Sequence, residues 1–160
     1  MIRPVSLDDS DAIAAIYNHY VLNTPVTFEE EAVSGDVMRD RIREIRSNLP
    51  WLVCEEAGLV RGFAYASPWK SRCAYRNSVE TTVYLDKDVL GRGLGARLYE
   101  PLLQVLKERG FHTAIGGIAL PNGGSVALHE KFGFQKVAQF REVGWKFETW
   151  IDVGYWQLVF

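Results

Sequence analysis

Between Val79 and Leu85 the chain alternates with a period of two. Val79, Thr81, Val83 and Leu85 fall on one face, and Glu80, Thr82 and Tyr84 on the other, which predicts a strand carrying a carboxylate. Asp86-Lys87-Asp88 then turns the chain, and the pattern changes to a helical one, with Leu94, Leu98, Leu102 and Leu106 at i, i+4 spacing. This helix is expected to run from the glycines of Gly91-Arg92-Gly93-Leu94-Gly95-Ala96 to about Arg109, to bend at Pro101, and to end on Gly110.

The remaining elements follow from the same two periodicities. Ile2 to Val5 reads as a short strand. Ser6 or Asp8 caps a helix to about Leu22, with Ala12, Ile13, Ile16, Tyr17 and Tyr20 inward, and Pro25 excludes its continuation. A second helix is expected from about Ser34 to Ser47, with Val37, Met38, Ile42 and Ile45 inward. Trp51 to Glu55 and Leu59 to Ala66 form a hairpin around Glu56-Ala57-Gly58. His112 to Leu120 is a strand whose Gly116-Gly117 pair admits close approach of another group. A short helix from Ser125 to Lys131 and two aromatic-rich strands, Phe134 to Glu142 and Phe147 to Leu158, complete the chain. That aromatic mass reads as core or subunit interface.

Length and composition narrow the picture. The 160 residues suit one domain, residues 1–160, and 48% hydrophobic with 24% charged residues is an ordinary globular balance. A net charge of −2 provides no basic field for nucleic acid. The N-terminus lacks a signal-peptide core and no apolar run is long enough for a bilayer, so no membrane partner and a cytoplasmic location are expected. Cys54 and Cys73 make no metal-ligand spacing and are expected to be free thiols; no metal is expected.

Chemistry concentrates around Glu80. A glycine-rich loop opening a helix suits a phosphate, because unpaired N–H groups and the positive end of the helix dipole converge there. Gly91-x-Gly93-x-x-Ala96 formally fits a dinucleotide fingerprint. However, no acidic residue follows at the end of the next strand, Ile118-Ala119-Leu120-Pro121, and the order of elements is not doubly wound. The lysine of a Walker loop is also missing. Upstream of Glu80, residues 67–77 place Lys70, Arg72 and Arg76 among Trp69 and Tyr75, a loop suited to an acidic small molecule.

The order of elements resembles the GNAT family of N-acetyltransferases. Its glycine signature, Q/R-x-x-G-x-G/A, is matched by Leu90 to Gly95 except at Leu90. Its later N-x-x-S-x-x-L-Y/H-E-K-x-G-F segment is matched throughout by Asn122 to Phe134. Pro50-Trp51-Leu52-Val53, Pro68-Trp69-Lys70, Val79 to Tyr84, Leu120-Pro121-Asn122 and Asp152 to Leu158 are similar to the phosphinothricin and methionine sulfoximine subgroup. The resemblance implies an α/β fold with a mostly antiparallel sheet of about seven strands and about four helices. It also implies acetyl transfer from acetyl-CoA to the α-amino group of a small acidic amino acid, in a homodimer. Glu80 is then the general base. CoA contacts are expected on Val83, Tyr84, Leu85, Gly91, Arg92, Gly93, Leu94, Gly95, Ala96, Asn122 and Ser125. His129 stands where many relatives carry a tyrosine that protonates the thiolate, and either does so or binds substrate. Lys70, Arg72 and Tyr75 would hold the acceptor's acidic groups, Phe28 would close the pocket, and Tyr99 would line it. Two alternatives remain open at this point: an acceptor that is a protein N-terminus or another amine, and a non-catalytic acyl-CoA binding module.

Overall fold

The computed structural model describes all of residues 1–160. The elements in order are β1 (Ile2–Pro4), α1 (Ser10–Asn23), α2 (Gly35–Arg46), β2 (Trp51–Glu56), β3 (Leu59–Pro68), β4 (Ser78–Leu85), α3 (Leu94–Glu108), β5 (Thr113–Ala119), α4 (Gly123–Lys131), β6 (Gln135–Lys146) and β7 (Thr149–Val159). One seven-stranded sheet has the order β1-β2-β3-β4-β5-β7-β6. Its pairings are antiparallel except for β4 with β5. The mixed fold expected from the pattern is the one found.

Helices cover both faces of the sheet. The stripe Leu94, Leu98, Leu102 and Leu106 packs α3 against Cys54, Ala64, Ala66 and Val79, in a core that also takes in Phe134 and Trp156. On the other face Ile13, Ile16, Met38 and Ile42 of α1 and α2 meet Trp51, Val53 and Phe63. Burying such side chains contributes about 1.5–3 kcal/mol each relative to leaving them in water. Val37, expected inward, is exposed, because it lies off the stripe formed by Met38, Ile42 and Ile45. Ser6 and Asp9 form a reciprocal capping box ahead of α1, and the Ser34 side chain caps α2. Pro101 sits inside α3, which runs on to Glu108.

The C-terminal hairpin departs from expectation. β6 continues to Lys146, through a register shift between Phe140 and Gly144, and turns at Phe147 and Glu148 with φ of 50° and 56°. Both turn residues are left-handed, as a tight hairpin with right-handed strand twist requires. Neither is Gly or Asn, so the sequence carried no turn signal at this point.

Candidate active site

The parallel pair at the middle of the sheet opens into a cleft. β4 and β5 are in register only from Ser78↔Thr113 to Glu80↔Ile115. Beyond that, β4 stays with β3 as far as Leu85, and β5 stays with β7 as far as Ala119. The strands therefore part directly after Glu80. Asp86 N–H donates to the Arg61 carbonyl at 2.8 Å, so by the alternation of an antiparallel ladder Tyr84 and Thr82 also face β3. Val83 and Leu85 then turn their N–H groups toward the open side. The Leu85 carbonyl is taken by the Tyr20 hydroxyl at 2.6 Å.

The glycine loop follows at the end of β4. Gly91 and Gly93 adopt φ of 76° and 77°, a region that costs a residue with a Cβ and suits glycine. The first intrahelical bond runs from Arg97 N–H to the Gly93 carbonyl, which leaves the N–H groups of Leu94, Gly95 and Ala96 at the helix end unpaired. The Leu94 side chain is buried in the core, so only its backbone is available to a ligand. Arg92 and Arg97 reach Glu56 at 3.3 and 3.5 Å, keeping two cations beside the loop. Leu90 is exposed. The open edge of β4 and the N-terminus of α3 present two sets of amide donors, suited to a ligand that carries both amides and phosphates.

A cavity of about 200 Å³ occupies the cleft, with Glu80, Thr82, Val83 and Tyr84 on one side and Gly117, Ile118, Ala119, Asn122 and Ser125 on the other. It is also lined by Val26 and Thr27, from the segment between α1 and α2, and by Thr81 and His129. Glu80 is half-buried. Burial pushes its carboxyl above the usual range, and the charge of Lys70 draws it partly back. Glycines on β5 make room for the groups at the base of the cleft. A methyl at Gly117 would come within 3.4 Å of Glu80 Oε1, and one at Gly116 within 2.3 Å of His129 Nε2. The close approach expected at this glycine pair is real, and it has a different partner on each residue.

His129 is buried in a polar network. Its Nδ1 lies 2.7 Å from the Ser125 carbonyl, which can only accept, so Nδ1 carries a proton. Burial lowers the imidazole's pKa, which keeps the ring neutral and leaves Nε2 a lone pair. Nε2 therefore accepts from the Tyr99 hydroxyl at 2.9 Å, and Thr81 Oγ1 donates to that hydroxyl at 2.6 Å. With its N–H directed at Ser125, His129 has no proton aimed into the cavity. The expected role as acid to a departing thiolate does not fit this arrangement.

The chain is matched along almost its whole length in known proteins. The acetyltransferase (GNAT) domain family matches residues 2–154 of the chain. The chain belongs to this family. A phosphinothricin N-acetyltransferase of Streptomyces viridochromogenes is 40% identical over 156 residues, covering 98% of this chain and 85% of the relative. An L-methionine sulfoximine/L-methionine sulfone acetyltransferase of Salmonella typhimurium is 38% identical, covering 98% of this chain and 92% of the relative. Among solved structures, a GNAT superfamily phosphinothricin acetyltransferase from Sinorhizobium meliloti in complex with acetyl-CoA superposes with a TM-score of 0.96 at 34% identity. It covers 99% of this chain and 87% of that one.

In this GNAT domain the residues expected to touch the acceptor do not all converge. Tyr99 is wholly buried beneath Thr81 and His129, so it supports the cavity from below and does not line it. Thr81 shares its strand face with Val79, which packs against α3, and Tyr99 is the side chain on α3 that meets its hydroxyl. Phe28 does not close this cavity. Its ring lies on Gly144 of β6, where a methyl would come within 2.3 Å of the ring, and the residue is 43% exposed. Lys70 stacks over Trp69 at 4.9 Å outside the cavity, and Arg72 and Tyr75 are exposed on the same loop. The charge of Lys70 is felt at Glu80, but none of these loop residues lines the cavity. Asn122 uses Oδ1 to accept from Ser125 N–H at 3.1 Å and caps α4. Val26, Thr27, Thr81, Thr82, Ile118 and Ala119 line the cavity without having been expected from the sequence. Only a hydroxyl alternating with apolar positions, as at Thr81, offered a signal.

Proposed function

We propose that the cleft transfers an acetyl group from acetyl-CoA to the α-amino group of a small acidic amino acid, of the phosphinothricin or methionine sulfoximine type. The observation that carries the reading is Glu80, a half-buried carboxyl at the point where β4 and β5 part, with no donor satisfying it. The names of the two curated relatives support the choice of acceptor, as does the cationic loop beside Glu80.

Acetyl-CoA, when bound, supplies an acetyl thioester. The residues that would hold it are the β4 edge at Val83 and Leu85, the α3 N-terminus at Leu94, Gly95 and Ala96, and Asn122 and Ser125 across the cleft. Each backbone donor to an ionised phosphate contributes about 1.5–3 kcal/mol. An ammonium has no lone pair with which to attack, so Glu80 removes its proton, directly or through a water. The freed amine would then displace the CoA thiolate from the acetyl carbon, and the proton left on the nitrogen would pass to that thiolate, so that the products are the N-acetylated amino acid and free CoA thiol. Strand N–H groups of β4 directed at the carbonyl oxygen would stabilise the charge that develops on it. His129 and Tyr99 hold the floor of the cavity.

Replacing Glu80 with Gln keeps the shape and removes the base. Turnover with phosphinothricin or methionine sulfoximine, followed by thiol release, is expected to fall about 100-fold or more with folding retained. Full turnover in this variant would eliminate Glu80 as the base. The reading includes a homodimer: β6 is an edge strand that exposes Val143 and Trp145, with Phe147 exposed in the turn that follows and Trp150 opposite on β7. Such an edge is apolar enough to be covered by a second copy.

A further inference from the structure

Lys146 lies near the tip of the C-terminal hairpin, on a strand that contributes no residue to the cavity lining, and is 2% exposed. A lysine buried this completely needs a partner. Its ammonium donates to the Thr27 backbone carbonyl at 2.7 Å. Thr27 and its neighbour Val26 line the cavity that holds Glu80. The ammonium thus crosses from β6 to the segment between α1 and α2, where that segment lines the cavity.

Further contacts fix the same segment. Phe28 rests on Gly144, two residues before Lys146 on the same face of β6, and the glycine leaves room for the ring. The Tyr17 hydroxyl meets Thr27 Oγ1 at 2.7 Å and donates to Glu29. Arg41 grips both oxygens of Glu29 at 2.9 and 2.6 Å. Burial lowers the Lys146 pKa, while Glu30 and Glu29, both on the segment, draw it back up and help keep the ammonium charged. Tyr17 and Arg41 anchor the segment from the helices, and Lys146 with Gly144 anchors it from the hairpin.

We propose that Lys146 is a positioning residue for the acceptor: it holds the backbone of residues 26–28 in place and thereby sets the affinity of the cavity for the incoming amino acid. The inference rests on the reading of this cavity as the acceptor site. Lys146 itself touches neither the β4 edge nor the α3 N-terminus, so its removal is expected to weaken acceptor binding while acetyl-CoA binding and the chemical step are largely retained.

The test compares Lys146→Met, which preserves length and removes the donors, with Lys146→Arg, which restores a cation. In Lys146→Met the acceptor KM is expected to rise about tenfold, with kcat and the acetyl-CoA KM within about twofold of the parent. Hydrogen–deuterium exchange should accelerate over residues 24–34 only, and Lys146→Arg should recover most of both effects. An unchanged acceptor KM with unchanged exchange over 24–34 would overturn the proposal. So would an equal change in all kinetic constants with faster exchange throughout the chain, which marks a general loss of stability. Gly144→Ala displaces Phe28 without altering charge, so it should give the same kinetic split and decides the matter if Lys146→Met does not fold. Should the parent protein acetylate no amino acid, the acceptor reading fails, while exchange over residues 24–34 still decides whether Lys146 holds the segment.

Discussion

A carboxyl group raised by burial is a stronger base once ionised, and a cation nearby decides at what pH it ionises. Glu80 combines the two influences: burial favours its neutral form, and Lys70 favours its carboxylate. A base works only when deprotonated, so activity should fall as pH drops through the Glu80 pKa, on an acid limb above the ordinary glutamate value of about 4.3. Removing Lys70 removes the influence that lowers the pKa. Lys70→Met is therefore expected to move the acid limb of kcat, measured at saturating substrates, to higher pH. A limb that stays in place or moves down would mean that Lys70 does not act on Glu80. The sequence showed both residues, but not how far burial outweighs the lysine, because exposure depends on Gly117, Tyr155 and the opening of the strands around Glu80.

At the scale of elements, α3, α4 and β4 are tied together by the hydroxyl of Tyr99, which accepts from Thr81 and donates to His129. Tyr99→Phe keeps the ring and strands two buried polar groups, a change that costs about 1–3 kcal/mol. For a chain of this size each kcal/mol corresponds to a melting shift of about 2–4 °C, so a fall of about 2–12 °C is expected in thermal denaturation. An unchanged melting temperature would mean that water satisfies His129 and Thr81 equally well. The i, i+4 leucines had assigned the apolar face of α3 correctly. They could not assign Tyr99, which lies on that face and was expected to line the acceptor site, because periodicity gives the direction of a side chain and not what lies beyond it.

For the whole molecule, β6 has opposite roles on its two faces. Gly144 and Lys146 turn inward onto residues 27 and 28, while Val143, Trp145 and Phe147 point away from the fold, and Trp145 packs on Trp150 at 4.7 Å. An exposed edge of this kind is stable in a monomer only at the risk of nonspecific association, and a second copy removes that risk. Trp150→Glu places a charge in the proposed contact and is expected to shift the protein to monomer in sedimentation velocity, at a concentration where the parent is a dimer. A parent that sediments as a monomer, or a variant that remains a dimer, would exclude this edge as the contact.

The sequence by itself determined what local rules govern. The strand carrying Glu80, the leucine stripe of α3, the glycine loop and the segment from Asn122 to Phe134 each follow from period, turn chemistry or a long motif match. Those features suffice for the fold and the family. Only the tertiary structure decided where the parallel pair ends, and with it the cleft. It also placed Tyr99 under the cavity, left Arg72 and Tyr75 outside it, and brought Lys146 across 119 positions to Thr27. The physical reason is that a side chain's period records which face it occupies, whereas its partner is set by packing between elements far apart in the chain. Strand separation, burial and the pKa shifts that follow from them belong to that second level.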